Sequence, residues 1–101
     1  MTFEDFSSSL AGDRPPSGLS RSLTALWQDA KGNWDAAHGT AQDDPGRDAA
    51  WVHGYLHRKE GDQANAAYWY RRAGQPVAAD ALADEWARIV QALLDDEVGP
   101  V

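Results

Sequence analysis

Apolar residues recur at steps of three and four along most of this chain. No stretch alternates with the period of two that a half-buried strand requires, so the pattern predicts an all-α protein. Phe3, Phe6 and Leu10 mark a short first helix over 2–11, capped by Thr2 with Asp5 three residues on. Asp13-Arg14-Pro15-Pro16-Ser17-Gly18 is a loop, because two prolines and a glycine break any regular element. Ser17 or Ser20 caps a second helix reaching about Ala30, with Leu19, Leu23, Leu26 and Trp27 as its apolar stripe. Lys31-Gly32-Asn33 then turns the chain: Gly32 supplies the left-handed conformation that ends a helix, and Asn33 caps the next.

The third helix runs from about Trp34 to Gln42. Gly39 weakens it by about 1 kcal/mol relative to Ala, so either a neighbouring helix approaches closely at Gly39 or the helix ends there. A loop at Asp43-Asp44-Pro45-Gly46 leads to a fourth helix from Arg47 or Asp48 to Lys59. The turn Glu60-Gly61-Asp62 leads to a fifth from Gln63 to Ala73, capped by Asp62 and stopped by Gly74. Beyond Pro76 a last helix over 78–96 carries Leu82, Trp86, Ile89, Val90, Leu93 and Leu94 as a narrow stripe. Asp80, Asp84, Glu85, Arg88 and Gln91 fall outside that stripe, the pattern of a terminal helix covering an exposed core. Residues 98–101 are expected to fray.

The chain repeats itself at an offset of 29 residues, where Lys31-Gly32-Asn33 falls on Glu60-Gly61-Asp62 and Ala37 on Ala66. Such helix–turn–helix units stack because one copy cannot bury its own apolar face. The second copy resembles a tetratricopeptide (Sel1-like) repeat: Gly54 on its first helix, Gly61-Asp62 in the turn, Ala66, Tyr70 and Ala73 on its second helix, and Pro76 at its close. The first copy matches through GNWDAA but has Ala41 in place of the aromatic, and the offset is shorter than the family's roughly 34 residues. The resemblance covers residues 20–76 and implies stacked antiparallel helix pairs that bind other proteins. DAAWVHGYLHRKEGD and YWYRRAG also resemble a group of small bacterial and fungal proteins, a likeness that implies no activity. The whole chain, 1–101, is expected to form a single domain of two hairpins with the helix over 78–96 covering them.

Composition narrows the function. Net charge is −7, which argues against nucleic-acid binding. Within residues 51–74, Arg58, Lys59, Arg71 and Arg72 stand against Glu60 and Asp62, a local charge of +2 that leaves −9 for the remainder. Such an island suits an anion or carboxylate partner, or else a solvated helix face with internal ion pairs. There is no cysteine, hence no disulfide framework or thiolate chemistry. No apolar run spans a membrane, and MTFEDFSSSLAG lacks the features of a signal peptide, so a cytoplasmic location is expected.

Two constellations carry candidate chemistry. His53 and His57 lie one turn apart on one helix face with Glu60 three residues on, and His38 is on the helix that the repeat places alongside. Three histidines and a carboxylate suit zinc, although HExxH is absent. The leading expectation is nevertheless that these imidazoles pack between helices and hydrogen-bond to Tyr, Asp or backbone groups, so no metal is assigned; a histidine donating to a small ligand, or a metal on His38, His53, His57 and Glu60, are the alternatives. The second constellation is Tyr68-Trp69-Tyr70-Arg71-Arg72. Tyr70 is expected inside, with Trp69 or Tyr68 nearer the surface, and the arginines can clamp carboxylates or stack on rings. No Gly-rich phosphate loop is present and every serine lies between Ser7 and Ser22, far from the histidines in sequence, so neither a cofactor nor a serine nucleophile is assigned.

The leading expectation is a non-catalytic binding module for an acidic peptide or small anion. Its groove would be lined by His53, His57, Arg58, Asn65, Tyr68, Trp69, Arg71 and Arg72. The alternative is a histidine-assisted or metal-dependent enzyme acting on a small anionic metabolite, with His38, His53, His57 and Glu60 as candidate metal ligands. Homo-oligomerisation through the first repeat or the Trp-rich surface is a third expectation.

Overall fold

A computed structural model describes residues 1–98, and among them the chain is all-helical, with no strand. The helices are α1 (Phe3–Ser9), α2 (Arg21–Ala30), α3 (Trp34–Gln42), α4 (Arg47–Glu60), α5 (Gln63–Ala73) and α6 (Leu82–Val98). Pairs α2–α3 and α4–α5 form two antiparallel hairpins, α3 lies beside α4, and α6 crosses over α4, α2 and α1. No helix among the described residues is long and apolar enough to cross a membrane. The fraying expected over 98–101 falls almost wholly outside the described residues.

The two hairpin turns are the same turn built twice. Gly32 and Gly61 are both left-handed, at φ 84° and 92°. In each, the glycine N–H bonds back to the carbonyl three residues earlier and the next residue's N–H to the carbonyl five earlier: Gly32 to Asp29 and Asn33 to Gln28, then Gly61 to Arg58 and Asp62 to His57. This double bond closes a helix C-terminus. Asn33 and Asp62 then accept from Ala36 N and Asn65 N, both at 3.2 Å, and so start the next helix.

The centre of the fold is α4. Every residue from Ala49 to His57 is buried, because α4 packs on α2, α3, α5 and α6. It approaches α5 most closely at Gly54, where an added Cβ would lie 3.2 Å from Tyr70 N and from the Tyr70 ring. Tryptophans pin the remaining helices to one another through their indole N–H groups. Trp27 donates to Ser9 Oγ (3.1 Å), Trp34 to the Leu56 carbonyl (2.9 Å), and Trp86 to the Leu26 carbonyl (2.9 Å). Trp86 also packs its ring on Phe3 and Phe6, so α6 holds α1 in place.

The structure departs from the sequence-based expectations at four places. The first helix stops at Ser9 rather than reaching residue 11; Leu10, Ala11 and Gly12 bond to carbonyls three residues back, the tighter turn that ends helices. Gly39 marks neither a close approach nor a helix end: α3 continues to Gln42 and a Cβ there would meet nothing within 4 Å. The last helix begins at Leu82, not residue 78. Arg58 takes the Asp80 carbonyl and Arg88 the Asp80 carboxylate, which holds this segment out of the helix. Glu85, placed outside the apolar stripe of that helix, is instead fully buried. It accepts from Arg58 Nη1 at 2.7 Å and from the Tyr70 hydroxyl at 2.5 Å, so both carboxylate oxygens are satisfied inside the core.

Candidate functional site

A cluster of five aromatic side chains from α3, α4 and α5 forms at the junction of the two hairpins: Trp34, His38, His53, His57 and Trp69. The helical repeat brings these side chains together. His53 and His57 are one turn apart on α4 and their rings stack 4.8 Å apart. α3 runs beside this face and supplies His38, whose Nε2 lies 3.0 Å from His53 Nε2. One ring nitrogen from each of the three histidines lies within 4.8 Å of the others'. Trp69 stacks on His53 at 3.9 Å and Trp34 on His38 at 5.0 Å, so indole planes fix two of the imidazoles from either side.

Glu60 adds direction to the third. Its Oε2 is 2.5 Å from His57 Nδ1. In the tautomer whose Nδ1–H donates to this carboxylate, Nε2 of His57 is the nitrogen free to act as a ligand. Burial disfavours the charged form of His53 and His38. Burial pushes His53 down to about 4, with His38 and His57 adding like-charge repulsion. His38 is lowered by burial and then by His57, against the opposing pull of Glu60 and Asp35. Neutral imidazoles are ligands for metals and poor hosts for anions.

The other candidate residues divide. Trp69 is half-buried and belongs to the histidine cluster, while Tyr68 is 47% exposed. Arg72 lies over the Trp69 ring at 5.3 Å and donates to the Tyr68 hydroxyl at 3.3 Å. Arg71 is exposed on the same helix. Asn65 is half-buried in the first turn of α5, and no hydrogen bond joins its side chain to the histidines. Arg58 is turned away from the cluster onto Glu85 and Asp80 of the α6 side. Lys59 is likewise taken up, by the buried Asp29 at 3.0 and 3.1 Å. The positive island of the sequence is thus half neutralised by carboxylates that arrive from α2 and α6. No enclosed pocket is found among the described residues.

Sequence reasoning missed Trp34 as one wall of the cluster, and Asp29 and Glu85 as buried partners. Trp34 was within reach, since it precedes His38 by one helical turn on α3. The partners of Asp29 and Glu85 are Tyr55, Lys59, Arg58 and Tyr70, each on another helix, so helical spacing alone does not name them.

Comparison with family models, curated proteins and solved structures returns no match for this chain.

Proposed function

We propose that this protein binds one divalent transition-metal ion, of the zinc class, through His38, His53 and His57. The observation that carries this reading is the convergence of three imidazole nitrogens within 4.8 Å, from two helices that the repeat sets side by side. Zinc–nitrogen bonds of about 2.0–2.1 Å in a tetrahedron place the nitrogens roughly 3.3 Å apart. The 3.0 Å pair is already close to that spacing, and the third ring closes the remainder by a small swing about its side-chain bonds. Three imidazoles favour zinc, copper or nickel over the hard, oxygen-seeking calcium and magnesium. Glu60 on His57 Nδ1 is the carboxylate that commonly orients a metal-ligating histidine.

A purely structural use of the same residues competes with this reading, since His38 and His53 hydrogen-bond to each other. Metal uptake separates the two. Native mass spectrometry of the untagged protein tests this: one bound ion per chain, lost in H38A, supports the proposal. His38 is half-buried on α3 and outside the apolar core, so H38A is expected to keep its fold. An apo mass after zinc loading would refute the proposal.

The tetratricopeptide-like architecture belongs to the same reading. The twice-built turn and the Gly54–Tyr70 approach support it. In that architecture the ion ties the first hairpin to the second. A second reading, the acidic-peptide module, keeps one supporting observation: Arg71 and Arg72 have no carboxylate partner among the described residues, and Arg72 donates to the hydroxyl of the exposed Tyr68. Retention of every captured partner by the R71E/R72E protein would eliminate it.

A further inference from the structure

We infer that the ion on His38, His53 and His57 keeps one coordination position open to water or a small exchangeable anion, such as a carboxylate or azide. This inference rests on the metal reading above and adds to it the class of ligand that the site takes from solution.

Zinc and its relatives hold at least four ligands, and the cluster supplies three. Among the described residues no fourth His, Asp or Glu donor lies within reach of all three ring nitrogens. Glu60 and Asp62 lie within 4.8 Å of a His57 ring nitrogen but do not join the three-histidine group, and Glu60 Oε2 is committed to His57 Nδ1 at 2.5 Å. The two nitrogens of an imidazole point to opposite edges of the ring, so a carboxylate bound at Nδ1 cannot also reach an ion at Nε2. Trp34 and Trp69 wall the cluster, but indole offers only an N–H donor, and that of Trp34 is already spent on the Leu56 carbonyl. His53 and His57 are buried at 5% and 7% exposure while His38 is only half-buried, so the side of the cluster towards His38 faces solvent. Closed structural sites take all four ligands from the protein; sites with three protein ligands leave the fourth to water or substrate. The geometry here is of the second kind.

The anion expected from the sequence then has a different host. An ion bound to the cluster carries its positive charge at the half-exposed end, towards His38. A small carboxylate or oxyanion then binds to the metal rather than to the arginines.

Cobalt(II) in place of zinc reports this directly, because its visible absorption depends on coordination number and ligand type. The full chain is loaded with Co2+ and titrated with azide. A saturable change in the visible bands at one azide per metal supports the open position. A spectrum that azide leaves unchanged overturns it and makes the site closed. Failure to take up Co2+ at all removes the metal reading itself, and is told apart by the absence of any visible band. E60Q serves as the second variant, with Glu60 exposed at the end of α4. The expected result is a metal affinity weaker by about 10–100-fold, the effect of losing an orienting carboxylate, with the azide response intact. If E60Q gains an azide response that the unaltered protein lacks, Glu60 is the fourth ligand and the inference is wrong.

Discussion

Gly54 and Tyr70 meet so closely that a methyl group on Gly54 would stand 3.2 Å from the Tyr70 backbone nitrogen. That approach sets the spacing of α4 and α5, and with it the stack of Trp69 on His53, since both rings belong to residues next to the contact. Replacing Gly54 with alanine gains about 1 kcal/mol of helix propensity but forces the α5 backbone outward. Overpacking of this kind costs about 1–3 kcal/mol, and a backbone atom has little room to yield. G54A is expected to lower stability by about 1 kcal/mol net and G54L by about 3 kcal/mol, measured by urea unfolding. Gly39 is the control: with nothing within 4 Å of its missing Cβ, G39A is expected to raise stability by about 0.5–1 kcal/mol.

Glu85 is the second point of failure. It is fully buried and joins three helices by accepting from Arg58 of α4 and Tyr70 of α5. Removal of one partner strands the others, and breaking a buried pair costs about 3–5 kcal/mol. E85A is therefore expected to unfold at markedly lower urea. Y70F, which removes only the hydroxyl that donates to a charged acceptor, should lose about 1.5–3 kcal/mol. Equal, small losses for both would mean that the network contributes little.

The metal-free protein should lose stability on acidification through the histidine cluster. His53 is held at about 4 in the folded chain by burial, with His38 and His57 adding to it, against 6.5 in the unfolded chain. Its folded value is depressed, so the unfolded state binds the proton first. Stability is therefore fully present above pH 6.5 and declines as pH falls from 6.5 towards 4. His38 is shifted in the same direction. Unfolding midpoints measured across this window should fall in the metal-free protein and flatten in H53A. A midpoint independent of pH from 6.5 to 4 would contradict the assigned burial.

Zinc should stabilise the fold by linkage. At about a hundredfold excess over Kd a ligand specific for the native state adds about 2.7 kcal/mol. For a domain of this size that is a rise in Tm of about 10–20 °C. EDTA should reverse the rise and H38A should abolish it, because His38 is the proposed ligand from the first hairpin. An H38A protein stabilised as much as the unaltered chain would move the ion to another site.

How much of this was legible in the sequence follows from where each signal resides. The turns at Gly32-Asn33 and Gly61-Asp62, the Thr2, Asn33 and Asp62 caps, and the bounds of α3 and α5 are local, and the chain states them directly. The interior position of Tyr70 and the shared face of His53 and His57 follow from helical spacing, and the repeat brings His38 alongside. What the sequence hid are choices made between helices. Arg58 faces Glu85 rather than the histidines because packing of α6 on α4 offers a buried carboxylate 27 residues away. Glu85 reads as a surface residue by charge, yet it lies within helical reach of Leu82 and Ile89. Its burial is possible only because Tyr70 and Arg58 satisfy both of its oxygens. The late start of α6 has the same origin, since Arg58 and Arg88 capture Asp80.

X-ray absorption at the zinc edge of the loaded full chain tests the central claim most directly, since it reads the ligands themselves. The expected spectrum shows three imidazole nitrogens at about 2.0–2.1 Å, with the outer-shell scattering of rigid rings. It should change to two imidazoles, or lose the metal, in H38A. A first shell made only of oxygen, with no imidazole scattering, would contradict the assignment of His38, His53 and His57 as a metal site.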